Sequence, residues 1–136
     1  MPLMKCENFC RACTRLNEAL SEYSASPEST VLRDGVIQRF EFTFELGWKS
    51  LKEYMEDQGA AGEFQFPKGV LKAAYAAELI SDADVWLDML ASRNITSHIY
   101  DDAQAAQVLE AIRDRYSEHL NALKAFYRRQ AEVQIF

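Results

Sequence analysis

Residues 39–59 read RFEFTFELGWKSLKEYMEDQG. Val36 and Ile37 just upstream, then Phe40, Phe44, Trp48, Leu51 and Met55, recur at three and four residues. That spacing lines one face of an α-helix and does not match the two-residue alternation of a half-buried strand. Phe42 and Leu46 add apolar surface on another side, so this helix is expected to lie at the centre of a bundle or to serve a second interface. Gly47 costs about 1 kcal/mol against alanine in mid-helix, and its presence predicts a neighbouring helix approaching closely there.

Working outward, the rest of the chain reads as helices with clear punctuation. SASPES (24–29) offers Ser26 as N-cap and Pro27 at the first helical position, and Gly59 suits a left-handed helix end. Upstream, Cys6, Phe9, Cys13, Leu16, Leu20 and Tyr23 form the apolar stripe of a first helix. Cys6, Cys10 and Cys13 in CENFCRAC (6–13) also match the spacing of the iron–sulfur site of radical S-adenosylmethionine enzymes. That chemistry needs a large barrel with the cysteines on a loop, so the three are read as small hydrophobes packed on a helix face in a reducing compartment. Downstream, GAAGEFQF (59–66) reads as a loop, and Pro67 starts a short helix reaching residue 79. Asp82 caps a fourth helix running through DVWLDMLASRNITSHIY (84–100). A fifth, from about residue 102 to 129, carries Val108, Ile112, Tyr116, Leu120, Leu123 and Tyr127. The expected fold is all-α, an up-and-down bundle of four to five helices making a single domain over residues 1–136.

Composition supports this reading. A chain of 136 residues with 49% hydrophobic content can bury a true core, roughly two thirds of its unfolded surface. A net charge of −6 argues against broad, charge-driven attraction to nucleic acid or anionic membrane, and leaves room for a local basic patch. No cleaved signal is visible and no apolar run approaches the ~18 residues of a membrane span, so a soluble, cytoplasmic protein is expected.

The chemistry concentrates in RNITSHIY (93–100). On a helical wheel of about 100° per residue, Trp86, Leu87, Met89 and Leu90 define the core arc of the fourth helix, and the same arc continued holds Arg93, Asn94, Ser97, Tyr100 and Asp101, with His98 at its edge. A desolvated arginine on such a face needs a partner or a purpose. One reading is a chemical site. The other has the helix emerging from the bundle here, with Arg93 paired to a carboxylate and His98 capping against Asp101 or Asp102. A Ser97–His98–Asp101 nucleophilic triad is set aside, because consecutive Ser and His side chains cannot face each other. Glu41 and Glu45 lack metal-ligand spacing, and Glu45 with Lys49 reads as an ordinary ion pair. His119 reads as solvated. No metal or other cofactor is expected.

Taken together, RFEFTFELGWKSLKEYMEDQG, PKGVLKAAYAAELI and DVWLDMLASRNITSHIYDD resemble the HEPN superfamily, in the branch of nucleotidyltransferase substrate binding proteins and HepT toxins. The likeness runs from about residue 33 to the fifth helix. Its motif is arginine, four residues, histidine, any residue, tyrosine: Arg93, His98 and Tyr100, with Asn94 after the arginine. The resemblance implies helical bundles paired as two-fold homodimers and a minimal nucleotidyltransferase as partner, and in many members metal-independent endoribonuclease activity with RNA as substrate. It also implies that Tyr100 accepts nucleotide groups from the partner. Cleavage of RNA through its own 2′-hydroxyl needs proton transfer, which a histidine supplies near neutral pH, and a cation on the transition-state phosphate, which an arginine supplies bidentately. Arg93 and His98 are the expected catalytic pair, with Asn94, Ser97 and Asp101 in support. Two copies around a two-fold axis would double the single histidine, and Phe42, Leu46 and Trp48 offer apolar surface for that interface. Two functions stand: a ribonuclease toxin restrained by its partner, or a catalytically silent substrate-binding subunit of the nucleotidyltransferase. The intact RNITSHIY favours the first and the acidic net charge favours the second.

Overall fold

The protein, seen in a computed structural model that describes residues 3–60, 65–96, 98, 99 and 101–135, is all-α, with no strand among the described residues. Helix α1 spans Met4–Ala25, α2 Thr30–Asp57, α3 Pro67–Ala76 and α4 Ala83–Thr96. The last long helix is built from α5 (Asp102–Ala111), a π-helical turn (Ile112–Tyr116) and α6 (Ser117–Ile135). The four-residue link 26–29 folds α1 and α2 into a hairpin that packs more extensively than any other pair. Helix α2 also touches α3, α4 and α5. It is the central element its two-sided apolar pattern predicted.

The core follows from that position. Phe40, Phe44 and Leu51 of α2 are fully buried against Phe9 and Leu16 of α1, Trp86 and Met89 of α4, and Leu109, Ile112 and Leu120 of the last helix. Phe40 stacks on Tyr116 with ring centroids 5.4 Å apart, and Phe44 meets Trp86 at 6.3 Å. Gly47 is where three helices converge. A Cβ there would lie 3.1 Å from Phe9 Cε1 and 3.3 Å from Trp86 Cζ3, so only a bare backbone lets α1 and α4 approach this closely.

Several boundaries differ from expectation, each for a local reason. Helix α2 is capped by Ser29, whose hydroxyl accepts from Leu32 N at 3.1 Å. The Ser26 main-chain carbonyl instead accepts from Ser29 N at 3.0 Å, which places Pro27 in a turn outside the helix. Gly59 takes φ +81°, as its sequence position suggested. Of the expected loop 59–66, residues 61–64 lie outside the described residues. Helix α3 stops at Ala76 and not at residue 79. There Leu79 N donates back to Ala74 O at 2.9 Å, with Glu78 at φ +61° in the left-handed position glycine usually fills. Asp82 caps α4 through Val85 N at 3.2 Å, as expected.

The π turn answers a spacing in the sequence. Val108, Ile112, Tyr116 and Leu120 are each four residues apart, and in a regular α-helix a strict four-residue step drifts by about 40° each time. Widening the helix locally to a π turn brings Ile112 and Tyr116 back onto the core. The three cysteines are free and buried on α1. Their thiols donate to main-chain carbonyls of the neighbouring helices, Cys6 to Ser50 at 3.5 Å, Cys10 to Lys124 at 3.9 Å and Cys13 to Leu120 at 3.7 Å. Among the described residues no helix is long and apolar enough to cross a membrane.

Candidate functional site

Two turns beyond Trp86, which anchors α4 in the core, Arg93 emerges over the side of α2. Its Nη1 lies 3.8 Å from Glu41 Oε2 and its Nε 3.6 Å from Glu45 Oε1. Both distances are within ion-pair range and beyond hydrogen-bond reach. The Arg93 side chain is 27% exposed, yet Nε itself is buried without a hydrogen-bond partner. Glu45 is a shared anion: its Oε2 accepts from Trp48 Nε1 at 3.3 Å and lies 3.9 Å from Lys49 Nζ. The expected Glu45–Lys49 pair is therefore present, but it is one part of a cluster centred on Arg93. Local spacing cannot reveal that cluster, because it depends on where α4 crosses α2. The guanidinium is charge-balanced while, among the described residues, its donors have no hydrogen-bond partner, a state in which it can turn toward an incoming phosphate.

Helix α4 ends sooner than its apolar pattern suggests. Thr96 Oγ1 donates to the Arg93 carbonyl at 2.8 Å, and His98 N donates to Ile95 O at 2.7 Å. The tightened turn takes the chain off the helical wheel after Thr96. Asn94, still within the helix, is exposed and does not sit on the buried arc expected for it, and beyond the turn Asp101 belongs to the next element. Asp101 is the N-cap of α5 and accepts from Gln104 N at 2.8 Å, while Asp102 pairs with Arg33 at 3.1 Å. His98 is exposed, and among the described residues its imidazole has no bonded partner, so the capping role against Asp101 or Asp102 is not adopted. Ser97 and Tyr100 lie outside the described residues. Beside the α4–α5 link an open cleft of about 350 Å³ is walled by Arg33, Gln38, Glu41, Thr96, Ile99 and Asp101. It places solvent-accessible space next to one of the carboxylates that hold Arg93.

A residue that sequence reasoning placed only in the core also bears on the site. Tyr116, presented by the π turn, reaches Ser92 Oγ at 2.7 Å and donates to the Asp88 carbonyl at 3.2 Å. Arg115 adds an ion pair to Asp88 at 2.6 Å. The final helix thus grips α4 at the residue before Arg93. The only sequence signal was the run of four-residue steps through Tyr116. Elsewhere, His119 is half-buried and faces a separate groove with Tyr75, Trp86 and Arg129. Among the described residues no three His, Cys, Asp or Glu side chains converge as a metal site requires.

Comparison with known proteins agrees with the fold. Residues 4–129 match the family model described as nucleotidyltransferase substrate binding protein like. A Haemophilus influenzae chain described as a probable ribonuclease HepT is 37% identical over 84 residues, 59% of this chain and 57% of its own length, so the match spans little more than half of that relative. A crystal structure from Thermus thermophilus superposes with a TM-score of 0.73 at 34% identity, covering 87% of this chain and 97% of its own. A Haemophilus influenzae structure, described as revealing the fold of a substrate binding domain of a nucleotidyltransferase, superposes with a TM-score of 0.78 at 27% identity, covering 90% of this chain and 98% of its own.

Proposed function

This chain belongs to the nucleotidyltransferase substrate binding protein like family, the HepT-like branch of the HEPN superfamily, and on that premise we propose that it is a metal-independent endoribonuclease toxin held in check by a minimal nucleotidyltransferase partner. The observation that carries the reading is Arg93: ion-paired at 3.6 and 3.8 Å to Glu45 and Glu41, not hydrogen-bonded, and followed one short turn later by a solvent-facing His98. In the proposed step the 2′-oxygen of RNA attacks the adjacent phosphorus and gives up its proton as the P–O2′ bond forms. The P–O5′ bond breaks, the 5′-oxygen takes a proton, and a 2′,3′-cyclic phosphate and a 5′-hydroxyl remain. His98 carries protons in this exchange, and Arg93 leaves its carboxylates to hold the phosphate oxygens.

One chain offers one such histidine, and proton removal and proton return are best served by two. A two-fold homodimer, cytoplasmic like its partner, supplies both. Phe42, 65% exposed, and the half-buried Leu46 and Trp48 give that dimer apolar surface. Asn94, Ser97 and Asp101 are the proposed supporting residues. Tyr100 is the proposed acceptor for nucleotide groups, whose phosphate would compete with RNA for Arg93. Co-expression with an active partner should then raise the protein's mass by whole nucleotidyl units, and Tyr100→Phe should abolish the increase.

The second reading, a catalytically silent substrate-binding subunit, draws on the same cluster: Glu41 and Glu45 already neutralise Arg93, and the chain carries a net charge of −6. End-group analysis separates the two. Cleavage products bearing 2′,3′-cyclic phosphate support the ribonuclease, and intact RNA alongside tight partner binding supports the subunit.

A further inference from the structure

The arginines of this acidic chain fall into two groups. Arg11, Arg33, Arg93, Arg113 and Arg115 each meet a carboxylate: Glu7, Asp34 and Asp102, Glu41 and Glu45, Asp114, and Asp88. Among the described residues Arg15, Arg39, Arg128 and Arg129 pair with none, although the sequence holds 21 acidic residues against 15 basic ones. Arg129 faces the separate groove beside Tyr75 and His119, and the other three converge from α1, α2 and α6 on a single groove of about 440 Å³ along the outer face of α1, lined by Arg11, Thr14, Arg15, Glu18, Arg39 and Arg128. Two arms are fixed without using a carboxylate. Arg39 Nη1 donates to the Arg15 carbonyl at 2.7 Å, and from α6 Lys124 Nζ donates to Thr14 Oγ1 at 2.8 Å. The positive charge of Arg128 and Lys124 reaches through to the Cys10 thiol beneath, where it works against the rise that burial imposes.

We propose that this groove is a docking track for the phosphodiester backbone of single-stranded RNA, an inference that rests on reading the chain as acting on RNA. Cations gathered on a protein of opposite net charge repel one another unless an anion joins them, and three of these arginines have no anion of their own. The lining favours nucleic acid over an acidic protein surface. It contains no apolar side chain, whereas the core of a protein interface buries aromatic and aliphatic groups. Nucleic-acid interfaces are polar and positively charged, and use arginine and hydroxyl donors on phosphate oxygens. Because the chain as a whole repels RNA, a local track is what would bring a strand to it. Phe42, the proposed dimer contact, lies outside this lining but shares an adjoining groove with Arg11, Arg15 and Arg39, so the track runs along the edge of the proposed dimer surface.

The test measures binding separately from cleavage. Fluorescence anisotropy follows a labelled, fully 2′-O-methylated single-stranded oligoribonucleotide, which lacks the attacking hydroxyl, titrated with the full-length protein across a salt series. The wild type should bind, and Arg39→Gln with Arg128→Gln should weaken binding about tenfold or more and reduce the salt slope by about 1.4, roughly 0.7 for each single-strand phosphate no longer neutralised. Arg128→Gln alone, at an exposed side chain with no hydrogen bond to lose, gives a second variant should Arg39 prove necessary for folding, and should remove about half of that slope. Arg113→Gln, which removes an arginine already paired to Asp114 and outside the groove, should leave affinity and slope unchanged. A wild type that does not bind, or variants with unchanged affinity and slope, would overturn the track. So would variants that keep RNA but release the nucleotidyltransferase partner, which would assign the groove to an acidic protein surface. Binding that depends on Arg39 and Arg128 in a protein that never cuts RNA would uphold the track and defeat the ribonuclease reading.

Discussion

The Tyr116 hydroxyl lies 2.7 Å from Ser92 Oγ, so the π turn of the last helix is bonded to the residue directly before Arg93. Because Tyr116 donates to the Asp88 carbonyl, Ser92 must donate to Tyr116, and the pair fixes the last turns of α4 over α2. Tyr116→Phe should cost about 2 kcal/mol in urea unfolding, the net worth of the two hydrogen bonds its hydroxyl makes. It should also slow RNA cleavage about tenfold with little change in RNA affinity, since small misplacements of a catalytic group are expensive. Full cleavage by the folded variant would deny the π turn its positioning role.

At Gly47 two effects oppose each other. Alanine improves helix propensity by about 1 kcal/mol. Its Cβ, however, would press on ring atoms of Phe9 at 3.1 Å and of Trp86 at 3.3 Å, and overpacking costs about 1–3 kcal/mol. Both neighbours are fully buried rings with little room to move, so Gly47→Ala should destabilise the protein in chemical denaturation. A stabilised variant would mean that the α1–α2–α4 crossing relaxes freely.

Glu78 presents the reverse case. It holds φ +61° at the end of α3 with its side chain exposed, a conformation that costs a residue with a Cβ about 1 kcal/mol. Glu78→Gly should raise the melting temperature, and a lowered one would assign the glutamate side chain a stabilising contact.

Most of this architecture is legible in the sequence, and the exceptions have physical causes. The stripes through Phe40, Phe44 and Leu51 and through Phe9, Cys13 and Leu16 match the buried faces of α2 and α1, because burial alone decides those positions. Gly47 announced its close contact because no other role accounts for a glycine there. The end of α4 was not legible: RNITSHIY contains neither glycine nor proline, and what stops the helix is Thr96 folding onto the Arg93 carbonyl. The start of α2 was misplaced because Ser26 and Ser29 are equivalent as caps by residue type, and Pro27 fits a turn as well as a first helical turn. The Arg93 cluster was half legible. A partner was demanded by burial, but the choice of Glu41 and Glu45 depends on a helix crossing that periodicity does not encode.

Buried thiols give the fold a pH dependence. Burial, followed by the nearby Glu53 charge, pushes Cys6 from 9.0 up to about 12, and burial pushes Cys13 from 9.0 to about 12. The native chain then keeps protons that the unfolded chain loses, so stability is full below about pH 9 and falls as pH rises toward 12. Tyr127, raised chiefly by burial, acts in the same direction. Denaturation midpoints should decline across that window, and less so in Cys13→Ala. All three thiols should resist an aromatic disulfide reagent until the protein is unfolded. Prompt reaction in the native state would contradict their packing.

The central claim is that Arg93 and His98 cut RNA, and the most direct measurement is cleavage of a single-stranded RNA by the purified protein beside Arg93→Ala and His98→Ala, with and without a metal chelator. The wild type should cleave, unchanged by chelator and leaving 2′,3′-cyclic phosphate ends. Either variant should lose at least a hundredfold, the usual contribution of a positioned acid–base or charge-stabilising group. Cleavage that persists in both variants, or disappears from the wild type when metal is removed, would contradict the assignment of cleavage to Arg93 and His98.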